Sequence, residues 1–201
     1  LFLQAKFHEI LVDSFQSRIR RLKKNFKIIK NNIKLKEEFI VFTKNNLNKR
    51  SISRSHGKEG SFSKFFLYQD LPNCFLQIIR KNSKEIKSYL GNKILYDDIV
   101  SWRLFHVNKE FEGHDIFSNV WHQDSHDGNR LLKIFMLIDK VEEKDGPFHW
   151  LDENKTKHNW DKLVERWTFD TFKETRLYKD QDFLIGNKGD YLILDTSRCM
   201  H

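Results

Sequence analysis

Two residues set two apart, His122 and Asp124 in "VWHQDSHDGNRLLKIFML" (residues 120–137), have the types and the spacing to bind a metal ion. In an extended segment, residues two apart point the same way. One imidazole nitrogen and one carboxylate oxygen can therefore meet at a common ion. With a second imidazole, such a set covers one face of an octahedral ion and leaves the opposite face open to substrate and O₂. This is the facial arrangement used by non-haem Fe(II) oxygenases. His126 lies on the same side, but in a straight strand its Cα is about 13 Å from that of His122, at roughly 3.3 Å per residue. The two side chains would then approach the ion from opposite ends. A bend at Ser125 relaxes this, so His126 is disfavoured but stays open. His201, which follows the strand-like "GDYLILDT" (189–196), offers a ligand from a separate strand and is the better-placed third candidate.

A His-x-Asp pair by itself is common and usually marks a surface turn. The ordered set carries the signal: "WHQD", an apolar strand, a Gly-Pro turn, then Gly-Asp, a second strand and a distal histidine. Lys133 interrupts the apolar run and shares strand parity with Phe135 and Leu137. An unpaired ammonium on a buried face is costly, so either that face is wet or an anion sits beside it. The plainer reading is an outward face with Lys133 snorkelling to water. The other histidines read plainly. His106 alternates with Trp102 and Leu104 as a satisfied structural residue, while His8, His56, His114, His149 and His158 show no partners in sequence. Trp121 packs the site wall. Cys199 shares the parity of His201 and reads as a buried structural cysteine. There is no phosphate-cradling glycine loop, no zinc-type cysteine cluster and no nucleophile elbow.

The elements that must position these residues change character along the chain. "SRIRRLKKNFKIIKNNIKLKEEF" (17–39) spaces Ile19, Leu22, Phe26 and Ile29 as a helical stripe. Residues 45–63 are polar and contain Ser and Gly, which marks a loop and an internal boundary. "LPNCFLQIIRKNSKEIKSYLG" (71–91) reads as one helix, with Pro72 in its first turn and Gly91 as its stop. Residues 99–107, 130–141 and 189–196 read as strands. "EEKDGP" (142–147) is a turn, and a short helix is expected at 156–167, where Trp160, Leu163, Val164 and Trp167 share a face. Helices first and strands later predict an α+β, mainly β, antiparallel sheet structure wrapped by N-terminal helices. The predicted division is a basic helical segment at 1–50 and a sheet domain at 51–201.

The chain has 201 residues and a net charge of +8. Residues 1–50 carry 13 Lys and Arg against 4 Asp and Glu, so the excess of positive charge belongs to this segment and the remainder is close to neutral. A basic amphipathic helix can lie on an acidic membrane, a nucleic acid or a partner protein. Here it reads first as a solvated cover, with weak membrane or protein contact through residues 18–36 as the further option. The near-neutral remainder argues against nucleic acid as the main partner. No apolar run approaches the roughly 18–20 residues that span a bilayer. Two cysteines are too few for a disulfide framework, which points to the cytoplasm. Starting without methionine and stopping at a histidine, the chain reads as a piece of a longer protein.

"WHQDS" (121–125), "LKIFMLIDKVEEKDGPF" (132–148) and "GDYLILDTSRCMH" (189–201) together resemble the phytanoyl-CoA dioxygenase family of Fe(II)- and 2-oxoglutarate-dependent oxygenases. The likeness covers about the C-terminal half, and residues 1–90 match nothing nameable. It implies a double-stranded β-helix (jelly-roll, cupin-like) with His122, Asp124 and His201 holding Fe(II). It also implies a small organic substrate hydroxylated with O₂ while 2-oxoglutarate becomes succinate and CO₂. Under the resemblance, Lys133 is a candidate partner for a 2-oxoglutarate carboxylate, and Phe135 falls where the family has an aromatic beside the cosubstrate.

Two features depart from the family. The turn runs on as "GPFHWLDENKTKH" instead of a Gly-Ser-His segment. The arginine expected about ten residues past the distal histidine, with the last core strand, has no counterpart. An unpaired sheet edge, an incomplete cosubstrate pocket and an inactive piece are the corresponding expectations. The reading from another class is a non-catalytic metal-binding β-helix domain tethered through its basic helix. A zinc hydrolase using the same ligands is a weaker enzyme alternative, since zinc sites more often draw three histidines, or two with a glutamate.

Overall fold

The computed structural model describes residues 2–9, 26–49, 54–56, 63–91, 94–104, 121–124, 130–157 and 179–201. Its strands in chain order are β1 (Phe2–Glu9), β2 (Ile29–Asn32), β3 (Arg54–His56), β4 (Ser63–Leu67), β5 (Ile94–Leu104), β6 (Leu131–Leu137), β7 (Phe148–Trp150), β8 (Asp182–Leu184) and β9 (Asp190–Asp195). The helices are α1 (Glu37–Asn48), α2 (Asn73–Lys81), α3 (Ser83–Leu90) and α4 (Glu153–Lys157). Seven strands form one antiparallel sheet in the order β2-β9-β6-β1-β5-β4-β3, and β7 pairs with β8 in a second. The fold is thus mixed α/β with antiparallel sheets, and among the described residues no sheet closes into a barrel.

All seven residues of β6 are buried. A strand covered on both faces needs a continuous apolar run in place of alternation, which is what "LLKIFML" supplies apart from Lys133. Leu132, Ile134 and Met136 face the helical layer, where they join Ile40 of α1, Phe75 and Ile78 of α2, and Tyr89 and Leu90 of α3. Phe135 and Leu137 face the smaller sheet and pack with Trp150 and Leu184. Strand β9 divides the same way, with Tyr191 and Ile193 toward the helices and Leu192 and Leu194 toward the smaller sheet. Each of these aliphatic side chains contributes about 1.5–3 kcal/mol by leaving water.

Several elements differ from the sequence reading. The expected helix over 17–39 is a strand at Ile29–Asn32, antiparallel to β9, and a helix begins only at Glu37; residues 17–25 lie outside the described part. Strand β2 follows an edge, where cross-strand hydrogen bonds to β9 replace the helical ladder. Likewise β1, within the segment expected to be helical, lies between β5 and β6. The open edge expected of the core does not fall on β5, β6 or β9, since each has a strand on both sides.

The single helix expected at 71–91 is two. Asn82 breaks it at φ −110° and ψ 20°, and its side-chain amide donates to the Ile78 carbonyl and to Tyr191 Oη. An asparagine bonding locally to backbone competes with the helical ladder. Pro72 caps the first of these helices from just outside it, and Gly91 ends the second at φ 98°. The strands expected at 99–107, 130–141 and 189–196 are present as β5, β6 and β9 with shifted ends, and residues 105–107 lie outside the described part. Of the helix expected at 156–167, only residues 156 and 157 are described, where they close α4; residues 158–167, with Trp160, Leu163, Val164 and Trp167, lie outside the described part. Among the described residues, no helix is long and apolar enough to cross a membrane.

Candidate metal centre

Backbone pairing brings the distant histidine to the His-x-Asp pair. His122 N–H donates to the His201 carbonyl, and His201 N–H donates to the His122 carbonyl, each at 3.0 Å. Directly opposed residues of an antiparallel hydrogen-bonded pair stand about 5.5 Å apart at Cα and point to the same side. The two imidazole rings accordingly sit with centroids 4.5 Å apart. Asp124, two positions on from His122, projects to the same side. Its N–H is held by the Thr196 carbonyl at 3.0 Å.

The ligand atoms converge. Asp124 Oδ1 lies 3.9 Å from His122 Nε2, and Asp124 Oδ2 lies 3.6 Å from His201 Nε2. One ligand atom from each of the three lies within 4.8 Å of the other two. An octahedral ion about 2.1 Å from each donor holds cis neighbours about 3 Å apart, so small side-chain rotations close the set around one ion.

The donor chemistry fits as well. Nδ1 of His201 lies 3.2 Å from the Cys199 carbonyl. With the proton on Nδ1 directed there, Nε2 presents its lone pair toward Asp124. This is the usual way a second partner fixes a ligand tautomer. Burial drives the His201 pKa down to about 3, with Asp124 pulling it up and Lys133 and His122 pushing it lower. The imidazole is therefore neutral, as ligation requires. Burial works to raise the Asp124 pKa, but His201, once it takes a proton in acid, and the Lys133 ammonium overcome this and hold it well below the usual carboxylate range. Asp124 is thus an anion at neutral pH.

Lys133 resolves the question its position raised. It is 6% exposed, so it does not snorkel, and its Nζ stands 2.6 Å from Asp124 Oδ2. The anion beside the buried ammonium is the aspartate of the triad. Phe135, on the same side of β6, stacks on Phe148 at 4.1 Å, and Phe148 in turn lies 5.6 Å from the His201 ring. Phe135 therefore borders the triad through Phe148, a wall residue not identified from sequence. Its signal was the alternation of "FHW", which places Phe148 with Trp150 on the inner side.

Trp121 is 5% exposed and meets His149 edge-on at 6.0 Å; His149 alternates with Phe148 and Trp150, so this contact lies on the face of β7 opposite the one that borders the triad. His149 has partners after all, in Gln181 Oε1 at 2.9 Å and the Phe183 ring, and burial lowers its pKa. Cys199 is buried in the apolar layer, which pushes its thiol pKa up. His106, His114, His126 and His158 lie outside the described residues.

The chain matches no family model, no curated protein and no solved structure.

Proposed function

We propose that the chain carries the iron site of an Fe(II)- and 2-oxoglutarate-dependent dioxygenase that hydroxylates a small organic substrate, built on a double-stranded β-helix. The observation that carries this reading is the meeting of His122, Asp124 and His201 within 4.8 Å. Two antiparallel sheets with an apolar layer between them support the β-helix. So does extension of the smaller sheet by backbone pairing, from Leu151 N–H to the Met200 carbonyl and between His122 and His201.

A bound Fe(II) would supply the activation of O₂, and the balance is substrate C–H, O₂ and 2-oxoglutarate going to substrate C–OH, succinate and CO₂. The chain's own residues prepare that chemistry. His122 and His201 offer imidazole nitrogens through Nε2, and Asp124 offers the single carboxylate. Lys133 and a divalent ion beside one carboxylate leave the pocket net positive, which favours a dianionic 2-oxo acid. Phe135 and Phe148 keep one wall dry. The site lies between sheets, where electrostatic attraction is stronger than in water. Under anaerobic conditions, Fe(II) with 2-oxoglutarate should give a weak visible absorbance band that neither gives alone. Admitting O₂ should then release succinate, and absence of both band and succinate removes the proposal.

One observation favours a second reading, a non-catalytic β-helix domain. Lys133 Nζ already neutralises Asp124 at 2.6 Å, so the carboxylate has a cation without any metal. Metal content separates the two in part, and succinate release under O₂ separates them fully.

A further inference from the structure

The segment joining β9 to His201 is fastened from both sides by buried polar groups with no part in the chemistry above. Asp195, the last residue of β9, is 2% exposed, and Tyr89 of α3 is 1% exposed. Tyr89 Oη donates to Asp195 Oδ2 at 2.5 Å, and Asp195 Oδ1 accepts the Ser197 N–H at 2.8 Å. The Asp195 carbonyl accepts from the N–H groups of Arg198 at 3.2 Å and Cys199 at 2.9 Å, which closes a tight turn. The Arg130 guanidinium lies 4.1 Å over the Tyr89 ring and donates to the Tyr89 carbonyl, so the tyrosine is itself held. From the other side, Glu153 of α4 accepts from Arg198 at 2.9 Å.

The turn carries the site. The Thr196 carbonyl accepts the Asp124 N–H at 3.0 Å, and the Cys199 carbonyl lies 3.2 Å from His201 Nδ1. One aspartate carboxylate thus shapes a turn whose next carbonyls hold two of the three ligand residues.

We propose that Asp195 is a positioning residue for the metal site. Fastened by Tyr89, it fixes the turn at 196–199 so that Asp124 and His201 stand in ligand geometry. This rests on the metal-site reading above, and the experiment separates the two. Asp195→Ala removes the side-chain acceptor of Ser197 N–H and Tyr89 Oη and leaves the backbone carbonyl in place. Asp195→Asn keeps an acceptor for Ser197 N–H and can donate to Tyr89 Oη. Tyr89→Phe removes only the anchor. Outer partners of metal ligands typically cost 10–100-fold in affinity when removed.

Two quantities are read on the full chain: the Kd for Co(II) with its d–d spectrum, and amide hydrogen exchange at Asp124 and His201 without metal. Asp195→Ala should weaken Co(II) about 10–100-fold, change the spectrum and speed exchange at both amides. Asp195→Asn should stay within about threefold of wild type, which a merely structural loss of a buried acid would not give. Wild-type Co(II) affinity and unchanged exchange in Asp195→Ala overturn the proposal, as does an Asn variant as impaired as the Ala variant. If Asp195→Ala does not fold, Tyr89→Phe decides, with a several-fold weaker Kd and faster Asp124 exchange expected and no change in either overturning it. If wild type binds no Co(II), the metal-site reading fails, while exchange at Asp124 still decides whether Asp195 positions the turn.

Discussion

Lys133 and His201 set the electrostatics of the triad in opposite ways. The ammonium stands 2.6 Å from Asp124 Oδ2, inside a face that excludes water. It repels a divalent ion and attracts a dianion. Lys133→Met should therefore raise the apparent KM for 2-oxoglutarate several-fold while leaving Fe(II) affinity equal or higher; an unchanged KM would retire its cosubstrate role. His201 acts through its proton. Its folded pKa of about 3 lies below the ordinary value of 6.5. Between those values the unfolded chain holds a proton that the folded chain lacks, so stability is complete above the ordinary value and falls with pH down to the folded one.

The slope of that loss is up to about 1.4 kcal/mol per pH unit for one proton. Urea unfolding of metal-free wild type and His201→Gln from pH 7 to 4 checks this, because the variant should lack that part of the slope. A parallel slope in both would contradict it. His122 and Asp124 were legible as a pair because parity in an extended segment is a local rule, and His201 because a ligand from a separate strand is better placed than His126. Phe148 escaped notice because its partners, Phe135 and His201, come from elements far away in sequence. Lys133 was legible as a charge needing an anion, yet the identity of that anion, Asp124, depended on the pairing of separate strands.

At the scale of elements, the close approach of β2 to the turn before β9 is a point of constraint. Gly189 has φ +89°, and a Cβ there would stand 2.0 Å from the Ile33 carbonyl oxygen. Ile33 N–H also donates to the Gly189 carbonyl at 3.0 Å. Gly189→Ala combines a disfavoured backbone region with a clash against backbone, and should destabilise by roughly 1–3 kcal/mol. Urea denaturation measures it, and a loss below about 0.5 kcal/mol, as for an ordinary surface substitution, would show that β2 yields easily.

The legible elements were those with two covered faces, β6 and β9, whose apolar runs announce burial. Strand β2 reads "IKNN", with three exposed residues, and offers no period to recognise. Strands β7 and β8 are three residues each, too short for a pattern. The helix at 71–91 had a continuous apolar stripe, but the side-chain bonds of Asn82 to Ile78 and Tyr191 overrode it.

For the whole molecule, the sheet is assembled from both ends of the chain. Strand β1 pairs with β5 on one side and β6 on the other, with Phe2 opposite both Trp102 and Leu137. Strand β2 pairs with β9. The composition of the basic first fifty residues suggested a separate helical cover, because charge is visible in sequence and a central sheet position is not. Deleting residues 1–9 would uncover the ladder groups of both β5 and β6, and exposed long strand edges recruit other chains. Size-exclusion chromatography of that truncation should show association or aggregation, with cooperative unfolding lost. A monomer with wild-type unfolding would show that β1 is dispensable.

The central claim is that His122, Asp124 and His201 share one divalent ion. Anaerobic calorimetric titration of Fe(II) into the full chain and into His201→Ala tests it most directly. One ion per wild-type chain is expected, with at least about a hundredfold weaker binding without the distal imidazole, beyond the roughly 10–100-fold that loss of a ligand's outer partner costs. Equal affinity and stoichiometry in both proteins would contradict it.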